Sequence, residues 1–174
     1  MNIKIIIGFA IAFIISLNIY NIPFNQEEKV IEPPEFKIDQ TTIDIKTLNK
    51  VLSKSLGKNI DLKSYKRAVV TFWATWCPSC HKENIVFNEV VKKNKDLFII
   101  GICVDKNKSA LANYQQKLSL NFPVVNINKS IALLFDEISV VPTHFIIDPK
   151  DQSMSKTFGL LDKNQLESLT EEMK

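Results

Sequence analysis

The sequence predicts an α/β domain, a central mixed β-sheet flanked by helices, preceded by one N-terminal transmembrane helix. Three observations carry the α/β class. Strand-like and helix-like segments alternate from Phe36 to the C-terminus, the order that yields a sheet with helices packed on it. Leu97 to Val104 is an unbroken apolar run of strand length, as a strand buried on both faces requires. Ala68 to Trp73 is a second strand-like run, and it leads straight into Trp76-Cys77-Pro78-Ser79-Cys80.

The chain opens with 18 residues, Ile5 to Ile22, that carry no charge. As a helix they span roughly 27 Å, close to the thickness of a bilayer's hydrocarbon core. Lys4 precedes them while Glu27 and Glu28 follow, so the positive-inside bias leaves the N-terminus cytoplasmic and residues 25–174 outside. Residues 1–24 are therefore expected to be a membrane anchor. A cleaved signal peptide is the alternative, but the apolar stretch exceeds a usual signal core and no A-x-A site lies near its end. No cysteine lies nearby, which excludes lipoprotein processing. Residues 25–35 are polar and contain Pro33-Pro34, the composition of an extended tether.

The folded domain is expected over residues 36–174. Phe36/Ile38 and Ile43/Ile45 alternate with polar neighbours, as half-buried strands do. Leu48, Val51, Leu52 and Leu56 follow at helical spacing, with Gly57 as the C-terminal stop. Asn59 to Leu62 reads as a short strand before the central one. After the cysteines, Ile85, Val86, Phe87, Val90 and Val91 form one helical face ending near Asn94. Ser109 to Leu118 is helix-like, Phe122 to Asn126 a short strand and Ile131 to Phe135 a short helix. Phe145 to Ile147 and Ser153 to Phe158 make a hairpin about Asp148-Pro149-Lys150-Asp151. Asp162 and Gln165 then form a capping box for a last helix that buries Leu166, Leu169 and Met173.

Cys77 and Cys80 are spaced so that a disulfide closes across one helical turn. At a helix mouth the first sulfur also meets unpaired N–H groups and the positive end of the helix dipole, which favours its thiolate. Placed between a strand and a helix, C-x-x-C reads as a redox-active dithiol. Cys77, the more exposed sulfur, attacks a substrate disulfide and Cys80 resolves the mixed disulfide. Net charge is +3, with 22 basic residues scattered among 19 acidic ones, so nucleic acid is not indicated as a partner. No cofactor and no metal site is expected.

Val70 to Cys80, VTFWATWCPSC, together with ICVD at 102–105, NFPVV at 121–125 and VVPTHFIID at 140–148, resembles the membrane-anchored thioredoxin-like proteins of the TlpA/ResA/DsbE type. The similarity runs from about Phe36 to the C-terminus. It implies a thioredoxin-like fold and thiol–disulfide exchange on the outer side of a bacterial inner membrane. The usual role of the family is reduction of exported proteins, cytochrome c maturation among its settings, with a transmembrane thiol electron donor.

The same resemblance implies a cis peptide bond at Pro142, whose neighbour Val141 would pair with an extended substrate strand. Trp76 and Pro78 join Val141 and Pro142 as expected substrate-binding residues. Thioredoxin itself carries a buried aspartate in the central strand, where this chain has Thr71. Glu83 matches instead the glutamate of ResA-type proteins, and a buried carboxyl there would relay a proton to and from Cys80. A surface glutamate in a helix's first turns is the alternative.

Pro78-Ser79 lacks the histidine of strongly oxidising relatives, which favours a reducing or intermediate couple; oxidation or isomerisation of disulfides is the alternative. His81 completes C-x-x-C-H, the attachment signature of c-type haem, and would be an axial ligand in an electron-carrier reading. The upstream strand and the α/β pattern oppose it. A copper or zinc carrier using the dithiol is a third class. Cys103 reads as a small buried apolar side chain. His144 is placed near the site, with no catalytic role assigned.

Overall fold

The computed structural model describes residues 41–135 and 137–171. The expected anchor, the tether, the Phe36/Ile38 strand and Met173 lie outside the described residues. Among the described residues no helix is long and apolar enough to cross a membrane.

The first elements differ from the periodicity reading. Strand β1 is only Thr41–Thr42, and Ile45 opens helix α1, Ile45–Leu56. Asp44 decides this, because its carboxylate accepts from the N–H groups of Lys46 and Thr47 and so starts a helix between the two isoleucines. Both isoleucines are still buried. Gly57 ends α1 at φ 65°, the left-handed conformation that costs glycine nothing. The strand expected at Asn59–Leu62 is absent. Its N–H groups go to α1 side chains, Ile60 to Ser53 Oγ at 2.9 Å and Leu62 to Asn49 Oδ1 at 3.1 Å, and Asp61 caps a 3-10 turn at Leu62–Ser64.

The remaining elements follow the expected order with small shifts at their ends. They are β2 Arg67–Trp73, α2 Pro78–Lys93, β3 Leu97–Cys103, α3 Lys108–Lys117, β4 Val124–Asn126, α4 Lys129–Ala132, β5 Thr143–Ile147, β6 Ser153–Phe158 and α5 Lys163–Glu171. The short α4 starts ahead of the expected Ile131 because Asn128 Oδ1 accepts from Ile131 N–H. The capping box of α5 forms in both directions, Asp162 N–H to Gln165 Oε1 at 2.8 Å and Gln165 N–H to Asp162 Oδ1 at 2.9 Å. The expected hairpin joins β5 and β6, and Gln152 takes the positive φ at its turn.

The described strands form one sheet in the order β1-β6-β5-β2-β3-β4. The pairs β2–β3 and β3–β4 are parallel, while β2–β5, β5–β6 and β1–β6 are antiparallel. This is the mixed, helix-flanked sheet of the thioredoxin-like fold. Strand alternation divides the core in two. Ala68, Val70, Phe72, Ile100, Ile102, Phe145 and Ile147 meet Leu48 and Leu52 of α1 and Ile131 of α4. Val69 and Ile99 face the other way, toward Phe87 and Val90 of α2 and Leu166 of α5.

Strand β2 at the centre delivers the chain to the cysteines. Arg67, at its start, is ion-paired with Asp148 at the end of β5, which pins the antiparallel neighbour in register. Beside it Gly101 of β3 has no room for a side chain: a Cβ there would lie 2.7 Å from Trp73 Nε1 and 2.9 Å from Val124 Cγ1. The glycine thus makes room for the large indole of Trp73, which packs in one cluster with Cys77 and Cys80.

Candidate active site

Cys77 is the N-cap of α2, with extended backbone at φ −89° and ψ 112°, and Pro78 is the first helical residue. Proline fits there because that position has no N–H to contribute to the helix ladder. Cys77 and Cys80 are joined as a disulfide with Cα atoms 5.3 Å apart. The Cys80 N–H points at Cys77 Sγ across 3.2 Å, and Ser79 Oγ lies 3.3 Å from the same sulfur. Once the disulfide opens, both donors face the Cys77 thiolate, and hydrogen bonding to the charged form favours it. Cys77 is the more exposed of the two, as expected, but both are buried, at 2% against 0% for Cys80. The Val141 carbonyl oxygen lies 3.9 Å from Cys77 Sγ.

The Val141–Pro142 peptide bond is cis. Immediately before Cys77, Trp76 stands 70% exposed, whereas Trp73 is buried with its ring edge-on to Tyr114 at 5.0 Å. The two tryptophans therefore do different things. Trp73 is a packing residue, and Trp76 presents a large apolar surface to solvent next to the dithiol.

The loop leading to Cys77 is held from both sides. Thr75 donates its N–H and its hydroxyl to Asp105 Oδ2, at 3.2 and 2.6 Å. From the other side His81 Nε2 lies 2.6 Å from Thr75 O, and a carbonyl only accepts, so this nitrogen carries a hydrogen. The His81 ring leans on Tyr114 at 5.1 Å, half-buried rather than turned to solvent. His81 Nε2 is given to a backbone carbonyl and the two sulfurs are bonded to each other, the arrangement of an exchange disulfide.

Glu83 is 1% exposed, on the inward side of α2 and one turn beyond Cys80. Burial removes the alternative of a surface glutamate. Its Oε1 accepts the N–H of Leu161 at 2.8 Å and lies 3.1 Å from His144 Nε2. Its Oε2 is buried without a hydrogen-bond partner. Sequence reasoning placed Glu83 but missed what surrounds it. His144 is 0% exposed, and its Nε2 also lies 2.8 Å from Gly159 O. The signal that could have found it was polarity in an apolar sheet: Thr71, His144 and Thr157 occupy paired positions on β2, β5 and β6.

Cys103 shares the cluster of Trp73, Cys77, Cys80 and Leu111. It is a free thiol, and burial pushes it up to about 11. A thiol so protonated is a poor nucleophile near neutral pH, which supports the reading of Cys103 as a packing residue.

Residues 34–156 match the family model described as the AhpC/TSA family. The thiol–disulfide oxidoreductase ResA of Bacillus cereus strain ZK is 35% identical over 124 residues, covering 68% of this chain and 71% of that protein. ResA of a second Bacillus cereus strain, ATCC 10987, is 29% identical over 168 residues, 94% of this chain and 91% of its own. Among solved structures, a thioredoxin-family thiol:disulfide interchange protein from Chlorobium tepidum TLS superposes with a TM-score of 0.59 at 24% identity, covering 66% of this chain and 86% of that one. With a buried C-x-x-C disulfide at the mouth of α2 beside a cis-proline loop, the chain belongs to the AhpC/TSA family and is a thiol–disulfide oxidoreductase of the TlpA/ResA/DsbE type.

Proposed function

We propose that the protein is a membrane-tethered reductase of disulfides in exported proteins, held outside the cytoplasmic membrane by residues 5–22 and kept reduced by a transmembrane thiol donor. The observation that carries the site reading is the Cys77 sulfur, N-cap of α2, facing the Cys80 N–H at 3.2 Å and the Val141 carbonyl at 3.9 Å. The tether rests on the uncharged N-terminal stretch and its flanking Lys4, Glu27 and Glu28. The reducing direction rests on Pro78-Ser79 between the cysteines, which supplies no histidine to stabilise the reduced thiolate.

In the reaction, a substrate segment lies along Val141 and Pro142, with Trp76 and Pro78 as apolar contacts beside its disulfide. The Cys77 thiolate attacks one substrate sulfur, the substrate S–S bond breaks and the first substrate thiolate leaves. Cys80 then gives its proton to Glu83 and attacks Cys77 Sγ. The Cys77–Cys80 bond forms, the mixed disulfide breaks and the second thiolate leaves. Two electrons pass from the protein to the substrate, and the donor restores the dithiol.

The test is the reduction potential of the Cys77–Cys80 couple, titrated against a thiol buffer. A value near that of thioredoxin, about −270 mV, supports a reductase, whereas a value near about −120 mV makes the protein an oxidant. The tether is tested separately by whether the full chain stays in the membrane fraction after a carbonate wash.

A further inference from the structure

Thr71 Oγ1, His144 Nδ1, Thr157 Oγ1 and Glu83 Oε2 are among the buried polar atoms without hydrogen-bond partners, the first three on one face of the sheet and the last on the helix above it. An interior that leaves polar atoms unpaired is costly, and such groups concentrate where chemistry needs them. Glu83 and His144 are the ionisable members of this group. Their geometry settles which atom of each is engaged.

His144 Nε2 lies 2.8 Å from Gly159 O. A carbonyl accepts and does not donate, so Nε2 carries a hydrogen. His144 Nδ1 is buried without a partner, and a bare nitrogen there costs less than a second buried N–H with nothing to receive it. The imidazole is thus the neutral Nε2–H tautomer. Its N–H edge, directed at Gly159 O, also stands 3.1 Å from Glu83 Oε1, which already accepts the Leu161 N–H. The Leu161 N–H donates to Oε1, and the His144 N–H, given to Gly159 O, adds its positive dipole end 3.1 Å from the same oxygen, while no donor meets Oε2.

We infer that His144 is a positioning residue for the exchange reaction: with the Leu161 N–H it fixes Oε1 of Glu83 as the proton-free oxygen, leaving Oε2 to take the proton of Cys80 and give it back. The inference rests on the relay reading of Glu83. The same contacts link the relay to the substrate loop, because Gly159 accepts from His144 and donates its own N–H to Pro142 O at 3.0 Å.

Among the described residues, other ionisable and charged groups lie on the elements around this pair. Cys80 lies one turn back on α2, and Cys103 on β3 is protonated because burial pushes it up to about 11. Tyr114 of α3 is hydrogen-bonded by Asn84 at 3.2 Å. At the start of α5, Asp162 is tied to Gln165 and Lys163 stands 3.8 Å from Glu167. On the sheet, Thr71 and Thr157 flank His144 and do not ionise in the working range.

The test follows the second thionitrobenzoate released when the reduced full chain, in detergent, reacts with the aromatic disulfide dithiobisnitrobenzoate between pH 5 and 9. That release requires Cys80 to lose its proton. Removing the N–H edge in His144→Leu makes the Glu83 anion harder to form. The pH midpoint of the release should then rise by about one unit, with about tenfold slower release on the acid limb. His144→Gln carries an amide nitrogen the same number of bonds from the backbone as Nε2 and should return the midpoint most of the way.

A His144→Leu curve that superposes on the wild type while Glu83→Gln departs overturns the positioning role and leaves the relay standing. A Glu83→Gln curve that superposes on the wild type overturns both. Should His144→Leu not fold, nitrogen-15 spectra of the wild-type imidazole decide: a hydrogen on Nε2 and a bare Nδ1 at pH 7.5 are required, and the opposite tautomer overturns the inference.

Discussion

The two faces of one sheet differ in kind, although adjacent residues of the same strands build them. Under α1 and α4 the facing residues are mostly apolar, with Thr143 of β5 a buried exception, and Phe72 lies edge-on to Phe135 at 5.3 Å and to Phe145 at 5.7 Å. Under α2 and α5 the β2, β5 and β6 residues Thr71, His144 and Thr157 make a polar row, and Glu83 descends toward it from the helix. The first face can be packed for stability alone because no reacting atom is near it. The second gives up part of that packing, and for the proton acceptor we propose in Glu83 that is required, since it must be buried yet not fully bonded. Stability and chemistry are thus separated by the alternation of side chains along a strand.

The largest expected effect comes from the apolar face. Phe72→Ala removes a fully buried ring that packs edge-on against two others, and should cost about 3–5 kcal/mol in urea unfolding. Disulfide exchange by the folded fraction should keep its wild-type rate. A fall in that rate larger than the fall in folded protein would break the separation of the two faces.

On the reactive face Gly101→Ala should cost about 1–3 kcal/mol, because the new methyl displaces the rigid indole of Trp73 or the side chain of Val124. The unfolding midpoint and Trp73 fluorescence should shift together. A change in stability with unaltered fluorescence would mean that Val124, not Trp73, gives way.

The smallest effect sharpens the contrast, because its sign is reversed. Thr157 is 2% exposed and its hydroxyl has no partner. Thr157→Val keeps the shape and removes a desolvated polar group, so the protein should gain about 1 kcal/mol. A loss of stability instead would show that this hydroxyl holds a buried water, as polar interiors often do.

Much of the fold could be read from short-range patterns. Unbroken apolar runs placed β2 and β3, and the Asp148-Pro149-Lys150-Asp151 turn placed the hairpin; the Gly57 stop and the Asp162–Gln165 box placed helix ends; the C-x-x-C spacing placed the dithiol. The errors fell where a side chain captured the backbone. Asp44 turned the Ile43/Ile45 alternation into a helix start, and Ser53 and Asn49 took the N–H groups that a strand at Asn59–Leu62 would have paired. His81, whose sequence position allowed a haem ligand, closes onto Thr75 because the loop before Cys77 brings that carbonyl back over the helix.

The sequence by itself determined the α/β class and the reactive pair, because each depends on residues within a turn or a strand of one another, whereas the family resemblance singled out Glu83 as the proposed acid. Only the tertiary structure decided what that acid touches. Glu83 and His144 lie far apart in the chain, on a helix and on an antiparallel strand. They meet because the β2–β5 register sets His144 opposite Thr71 and the Gly159–Leu161 turn closes over both. Register and closure are properties of the packed sheet, so no local pattern in the chain encodes that contact.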